Sequence, residues 1–138
     1  YAFYSYNVLV IGLALIPFVF NLVITGWAIG VFTTSLIMRF GHEAEVLAWS
    51  MVFLFQPISC VFYPLDVLPV WLQGIAWMNP AAHIFEGMRG VLKDGALSVS
   101  HLTWAVGLNA LYLALVILFF HWTFEVCKDK GLLVRVGE

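Results

Sequence analysis

A chain of 138 residues that is 63% hydrophobic and only 10% charged cannot build the polar coat of a soluble domain, where roughly a quarter of residues are charged. A formal net charge of −2 and the absence of a basic stripe argue against a nucleic-acid partner. The sequence begins at Tyr1 without a methionine, which predicts a fragment or processed piece of a longer protein.

Val8 to Met38 holds no charged residue, a run of 31. As a helix it measures about 46 Å, more than the roughly 30 Å a bilayer core requires. The run predicts a membrane span over 8–38, tilted or kinked, with Pro17 as the kink site. Gly26, Gly30 and Thr34 form a row of small residues one turn apart. Such a row allows close helix packing, within the chain or between subunits. Asn21 here and Asn109 further on are polar groups inside spans, and helix-to-helix hydrogen bonds account for both.

Arg39 to Glu45 predicts a short polar turn. Its His42, Glu43 and Glu45 suggest either a metal site or a solvated turn, and Arg39 beside them favours the turn. Val46 to Leu65 is again uncharged, contains Pro57, and closes in Phe62-Tyr63-Pro64, an interfacial aromatic followed by a helix breaker. This predicts a second span over 46–64. Cys60 within it stands far from Cys127, so neither suggests a disulfide, and Cys60 is expected to act as a small hydrophobe.

Residues 67–82 are uncharged but carry Pro69, Gly74 and Pro80, which leave no straight helix of spanning length. Two short helices fit instead. One runs from about Pro69 to Trp77. The other has Asn79 as N-cap and Pro80 at its first position, and reaches about Asp94 before Gly95. Ile84, Met88, Val91 and Leu92 make its apolar stripe, with His83, Glu86, Arg89 and Lys93 largely on other faces. The segment 67–94 is thus expected to be a re-entrant hairpin, entering and leaving on one side. A third span is predicted over 102–124, bracketed by Trp104 and Trp122, with a polar tail over 125–138.

The fold class that follows is an all-α, polytopic membrane protein with an external re-entrant helical hairpin between its last two spans. With three crossings, Arg39, Lys128, Lys130 and Arg135 share one side and Arg89 and Lys93 the other. The positive-inside rule makes the first side cytoplasmic, so the hairpin is expected outside and the C-terminus inside. Glu86 and Arg89, three apart on one helix, can pair. They either line an outer gate or merely solubilise an interfacial helix. The chain has no H-E-x-x-H, no G-x-S-x-G and no carboxylate pair within a span, so an enzyme is not expected.

The stretch Gln56-Pro-Ile-Ser-Cys-Val-Phe-Tyr-Pro-Leu-Asp-Val-Leu-Pro-Val-Trp-Leu-Gln73, continued by Asn79-Pro80 and His83-Ile-Phe-Glu-Gly-Met-Arg-Gly-Val-Leu92, carries a family resemblance. In order, Phe-Tyr-Pro, Leu-Pro-x-Trp-Leu, Asn-Pro and Glu-x-x-Arg-Gly resemble the fifth helix and external hairpin of type-2 ATP-binding-cassette (ABC-2) exporter permeases. The resemblance implies that 8–38, 46–64 and 102–124 are the fourth, fifth and sixth helices, and that residues 1–5 end the third. The missing half would hold an amphipathic N-terminal helix and the main coupling helix.

It further implies a permease homodimer in the lipid bilayer of the cell (inner or plasma) membrane. The transported substrate would be amphipathic or lipid-linked: a polysaccharide, glycolipid or drug. A partner ATPase subunit would bind ATP and Mg, since this chain carries no G-x-x-x-x-G-K-[ST] loop and no cofactor of its own is expected. Arg39, His42 and Glu43 would then be a minor contact with that ATPase. The rival reading is a non-transporting membrane scaffold or anchor subunit.

Overall fold

The computed structural model describes residues 8–131, and every regular element among them is helical. The segment 1–5, read as the end of a preceding helix, and Arg135 with the rest of 132–138 lie outside the described residues. Five α-helices follow in order: α1 (Val8–Phe40), α2 (Glu43–Ile58), α3 (Val70–Trp77), α4 (Pro80–Asp94) and α5 (Val99–Asp129). One 3₁₀ turn, Leu65–Val67, leads into α3.

Leu9–Phe40 and Val99–Asp129 are each long and apolar enough to cross a membrane. These two helices lie side by side and run in the same direction. Near one end, Asn109 Nδ2 donates to the Asn21 carbonyl at 3.0 Å. Midway, the Phe32 and Phe119 rings stand 5.6 Å apart. At the other end, Cys127 Sγ meets the Met38 carbonyl at 3.3 Å. Parallel neighbours need the chain to return along them, and α2 makes most of that return.

α2 starts at Glu43, with Glu43 and Glu45 in its first turn where the helix dipole favours acids. Its 16 residues extend about 24 Å. The sequence predicts a span over 46–64 interrupted by Pro57, and the helix stops at Ile58. Pro57 supplies no N–H to the last turn, and Cys60 turns the chain left-handed at φ 54°. The segment 59–64 is therefore irregular, and the helix breaks at Pro57 and Cys60 rather than at Pro64.

α3 and α4 begin and end as their residues dictate. Pro69 caps α3. Asn79 Oδ1 accepts from the Ala81 N–H at 3.0 Å with Pro80 at the first helical position, and Gly95 at φ 66° closes α4. The face of α4 differs from the expected stripe: His83 is buried and Leu92 is exposed. The reason is that α4 is wedged between α1, α3 and α5, so its inner face widens to take in Pro80–Ile84, Gly87 and Val91.

Two apolar clusters result. Phe18 of α1, Ile84 and Val91 of α4 and Ala105 of α5 fill one. Cys60, Leu68, Ala76 and Ala82 fill the other, under the hairpin. Outward faces keep large apolar side chains, among them Leu13, Trp27, Phe53, Leu118 and, at 84% exposure, Val70 of α3. Aqueous proteins rarely tolerate such continuous apolar surface.

The tightest approach is between α1 and α4. A Cβ added at Gly87 would fall on the buried ring of Phe18, closer than real Cβ contacts come. Gly87→Ala is expected to destabilise the full-length protein by about 1–3 kcal/mol, the usual penalty for overpacking. Thermal unfolding in detergent checks this, and Gly87→Ala combined with Phe18→Ala should cost less than the two singles added. Strict additivity would show that Phe18 is not what requires the glycine.

Candidate functional site

The sequence singles out Glu86 and Arg89, and the structure places both at the seam between α4 and the end of α2. They pair at 2.8 Å, each side chain about a fifth exposed (23% and 22%). The pair does more than meet itself. Arg89 Nη2 donates to the Cys60 carbonyl, and to the Val61 carbonyl at 3.1 Å. Glu86 Oε1 accepts the Leu65 backbone N–H at 2.8 Å.

The rest of the α2 terminus is satisfied locally. Phe55 O takes the Ser59 N–H and hydroxyl, and Tyr63 Oη donates to Pro57 O at 2.8 Å. The turn that follows the helix is thus held from outside itself, by a guanidinium whose planar fork suits two carbonyls and a carboxylate at once. Such an arrangement is a clamp between the hairpin and the turn that follows α2.

Beside the clamp, Arg89, Lys93, Asp94, Ser98 and His101 line an open cavity of about 380 Å³. His101 also faces His83 behind it. Their Nδ1 atoms are 3.4 Å apart, and His83 Nε2 lies 2.9 Å from the Trp77 carbonyl. The Trp77 ring meets His83 edge-on, and Trp104 stacks on it. Burial holds His83 below the ordinary histidine value. The bond to the Trp77 carbonyl works against this, and His101 adds to it.

Between the long helices Asn21, Thr25 and Asn109 find each other, whereas the buried Thr123 hydroxyl of α5 has no partner among the described residues. Thr25 Oγ1 donates to Asn109 Oδ1 at 2.8 Å, and Asn109 Nδ2 reaches the Asn21 backbone and side-chain oxygens. Helix-to-helix hydrogen bonds were expected for both asparagines, and the structure makes them each other's partners, with Thr25 as a member the sequence reading missed.

Of the two uses open to the small-residue row, packing among the described residues is not one it serves: Gly26, Gly30 and Thr34 face outward, and no part of those residues lies within 4 Å of a Cβ built at either glycine. Packing inside this chain uses the adjacent row Asn21, Thr25, Ala28 and Ser35, because only that face carries the polar groups that need a partner.

At the opposite end, Arg39 lies over the Trp122 ring at 4.6 Å rather than in the turn. His42 pairs with Glu45 at 2.9 Å, and Glu43 is exposed. The structure therefore does not gather Arg39, His42 and Glu43 into one cluster.

Parallel apolar helices, polar groups matched in their interiors, and a short helical pair folded against one end define a polytopic all-helical membrane protein. The profile described as ABC-2 type transporter matches residues 1–93, which runs from α1 to the penultimate residue of α4. The chain belongs to the ABC-2 type transporter family and is a membrane permease component of an ABC-type transporter, not itself catalytic. No curated protein and no solved structure matches it.

Arg89→Lys should loosen the clamp, because an ammonium lacks the fork that reaches two carbonyls and a carboxylate. The loss is expected to be about 1 kcal/mol, and Cys60, now fully buried, should react faster with a thiol reagent in a Cys127→Ala background. An unchanged Cys60 rate would retire the clamp.

Proposed function

We propose that this chain forms the membrane path of an ATP-driven exporter for an amphipathic or lipid-linked substrate: a polysaccharide, a glycolipid or a drug. A separate cassette ATPase binds and hydrolyses ATP with Mg, and two permease copies face each other across the path. The observation that carries this reading is the α3–α4 hairpin, folded back on α1 and α5 and clamped to the end of α2. Irregular backbone at membrane depth is tolerated where it is buried in protein or lines a cavity. A mere anchor has no use for it.

In this reading α1 and α5 span the membrane in the same direction, α2 returns between them, and the hairpin is re-entrant from outside. The parallel packing of α1 and α5 supports it, since it sets Arg39 beside Trp122 and leaves Arg89 and Lys93 at the far end. The positive-inside rule then makes the Arg39 end and the C-terminus cytoplasmic. Glu86 and Arg89 form the latch of the outer gate: opening the path lets go of Cys60, Val61 and Leu65. The open row Gly26, Gly30 and Thr34 serves the second permease copy. The turn carrying His42 and Glu43, with Arg39 at its edge, is a minor contact for the ATPase.

The topology is checked by cysteine labelling with an impermeant reagent on intact cells, in a background lacking Cys60 and Cys127. A cysteine at Lys93 should label from outside and one at Lys130 should not, and the reverse pattern would overturn the orientation.

The transport reading is checked with the full-length protein reconstituted with its ATPase. Glu86→Ala or Arg89→Ala should slow ATP-dependent release up to about tenfold, the factor for a charged hydrogen bond of about 1.4 kcal/mol. Dimer yield should stay normal. Unchanged release in both variants removes the gate role, and assembly without any ATP-dependent release leaves the scaffold reading standing.

A further inference from the structure

The transport reading makes no use of the buried histidine behind the clamp. We infer that His83 and His101 form a proton-operated latch that holds the α3–α4 hairpin on α5 and releases it when the solution at that end is acidified. The inference does not depend on what the protein transports.

Hydrogen-bond chemistry fixes the protons. A carbonyl only accepts, so the 2.9 Å contact with Trp77 O makes His83 Nε2 the N–H donor. Neutral His83 then presents a lone pair at Nδ1, and the facing Nδ1 of His101, 3.4 Å away, must carry the hydrogen between them. This leaves Nε2 of His101 as its unengaged nitrogen, on a residue that also lines the open 380 Å³ cavity.

A proton held at His101 Nε2, which has no bonded partner among the described residues, would leave the bond to His83 intact. A second must take the lone pair of His83 Nδ1, which places two N–H groups and two cations face to face. The pair holds one proton readily and two only by separating.

The surroundings offer the doubly charged pair no relief. From α3 come the carbonyl and ring of Trp77, and from α5 the Trp104 ring. Glu86, one turn along α4, lines the same small space, but its carboxylate is held by Arg89 and the Leu65 N–H. Across the cavity, Lys93 and Arg89 add positive charge against Asp94. α1, which packs on the inner side of α4, has no charged residue before Arg39. His83 is 3% exposed, so water cannot solvate a new charge there without movement.

The sign follows from burial. His83 is held below its unfolded value, so its contribution to docking is complete above about pH 6.5 and is lost as pH falls below that toward the depressed value.

The fold supplies its own reporter. Ala76 and Ala82, one residue from Trp77 and His83 respectively, pack on Cys60, so a hairpin that lifts away from α5 and from the end of α2 uncovers that thiol. In the full-length protein in lipid vesicles, with Cys60 as its only cysteine, labelling is measured between pH 7.5 and 5.5 using a pyridyl disulfide that reacts in acid. The control is His101→Gln at each pH. Its amide donates to neutral His83 and turns over to accept from the protonated ring, so it cannot create the charge conflict.

Relative to that control, wild-type labelling should rise several-fold between pH 7.5 and 5.5, with about tenfold as the ceiling for one linked proton. Parallel pH profiles for wild type and His101→Gln would overturn the latch. Should the variant label fast at every pH, wild-type tryptophan fluorescence decides. A transition centred below pH 6.5, from Trp77 and Trp104 leaving the ring of His83, supports the latch, and a flat trace from 7.5 to 5.5 overturns it.

Discussion

A helix end leaves carbonyls that its own ladder cannot satisfy, and the hairpin end of this fold depends on where the carbonyls at and just after the end of α2 go. Its last carbonyls are met by Ser59 and Tyr63, and those that follow by Arg89. Because Arg89 sits on α4, satisfying the turn that follows α2 fixes the hairpin. Because Gly87 presses against Phe18, fixing the hairpin fixes α4 on α1. One guanidinium thus ties together a left-handed turn, a re-folded helical pair and a long helix.

One turn along α1 from Phe18, a different set of polar groups sets the packing. Asn21, Thr25 and Asn109 are almost fully buried among apolar side chains, and each has a partner on the neighbouring helix. Hydrogen bonds of this kind are modest in energy, averaging about 0.6 kcal/mol between membrane helices. Their value is directional: only one rotation and one register of α5 on α1 bring Asn109 to Asn21 and Thr25. Apolar surface alone could not choose, since lipid tails suit the same side chains as well.

Much of the architecture was legible in the sequence because charge and proline do simple things in long apolar runs. The absence of charge from Val8 to Met38 predicts α1, and Asn79-Pro80 and Gly95 mark the ends of α4 within a residue or so. What escaped were properties that tertiary packing decides. Cys60 gave no sign of a left-handed turn, since a cysteine there has no local reason to adopt one. His83 fell outside the apolar stripe of α4, but three neighbouring helices widened the buried face to include it. The pairing of His83 with His101 had one faint signal, the spacing of His101 and Trp104 on a helix face opposite Trp77. Glu86 and Arg89 were visible as a pair, whereas their backbone partners, more than twenty residues back, were not.

The parallel arrangement of α1 and α5 has a consequence for how the chain is made. Asn109 follows Asn21 by 88 positions, so during synthesis α1 is complete long before its polar partner leaves the ribosome. Asn21 and Thr25 must then reside in lipid, or in the insertion machinery, with nothing across from them. The helix carries its own stopgap: Asn21 Nδ2 reaches the Pro17 carbonyl at 2.9 Å, and the Thr25 hydroxyl lies 3.0 Å from the Asn21 carbonyl. When α5 arrives, the Thr25 proton has only to swing from its own backbone to Asn109. The helix is built to wait.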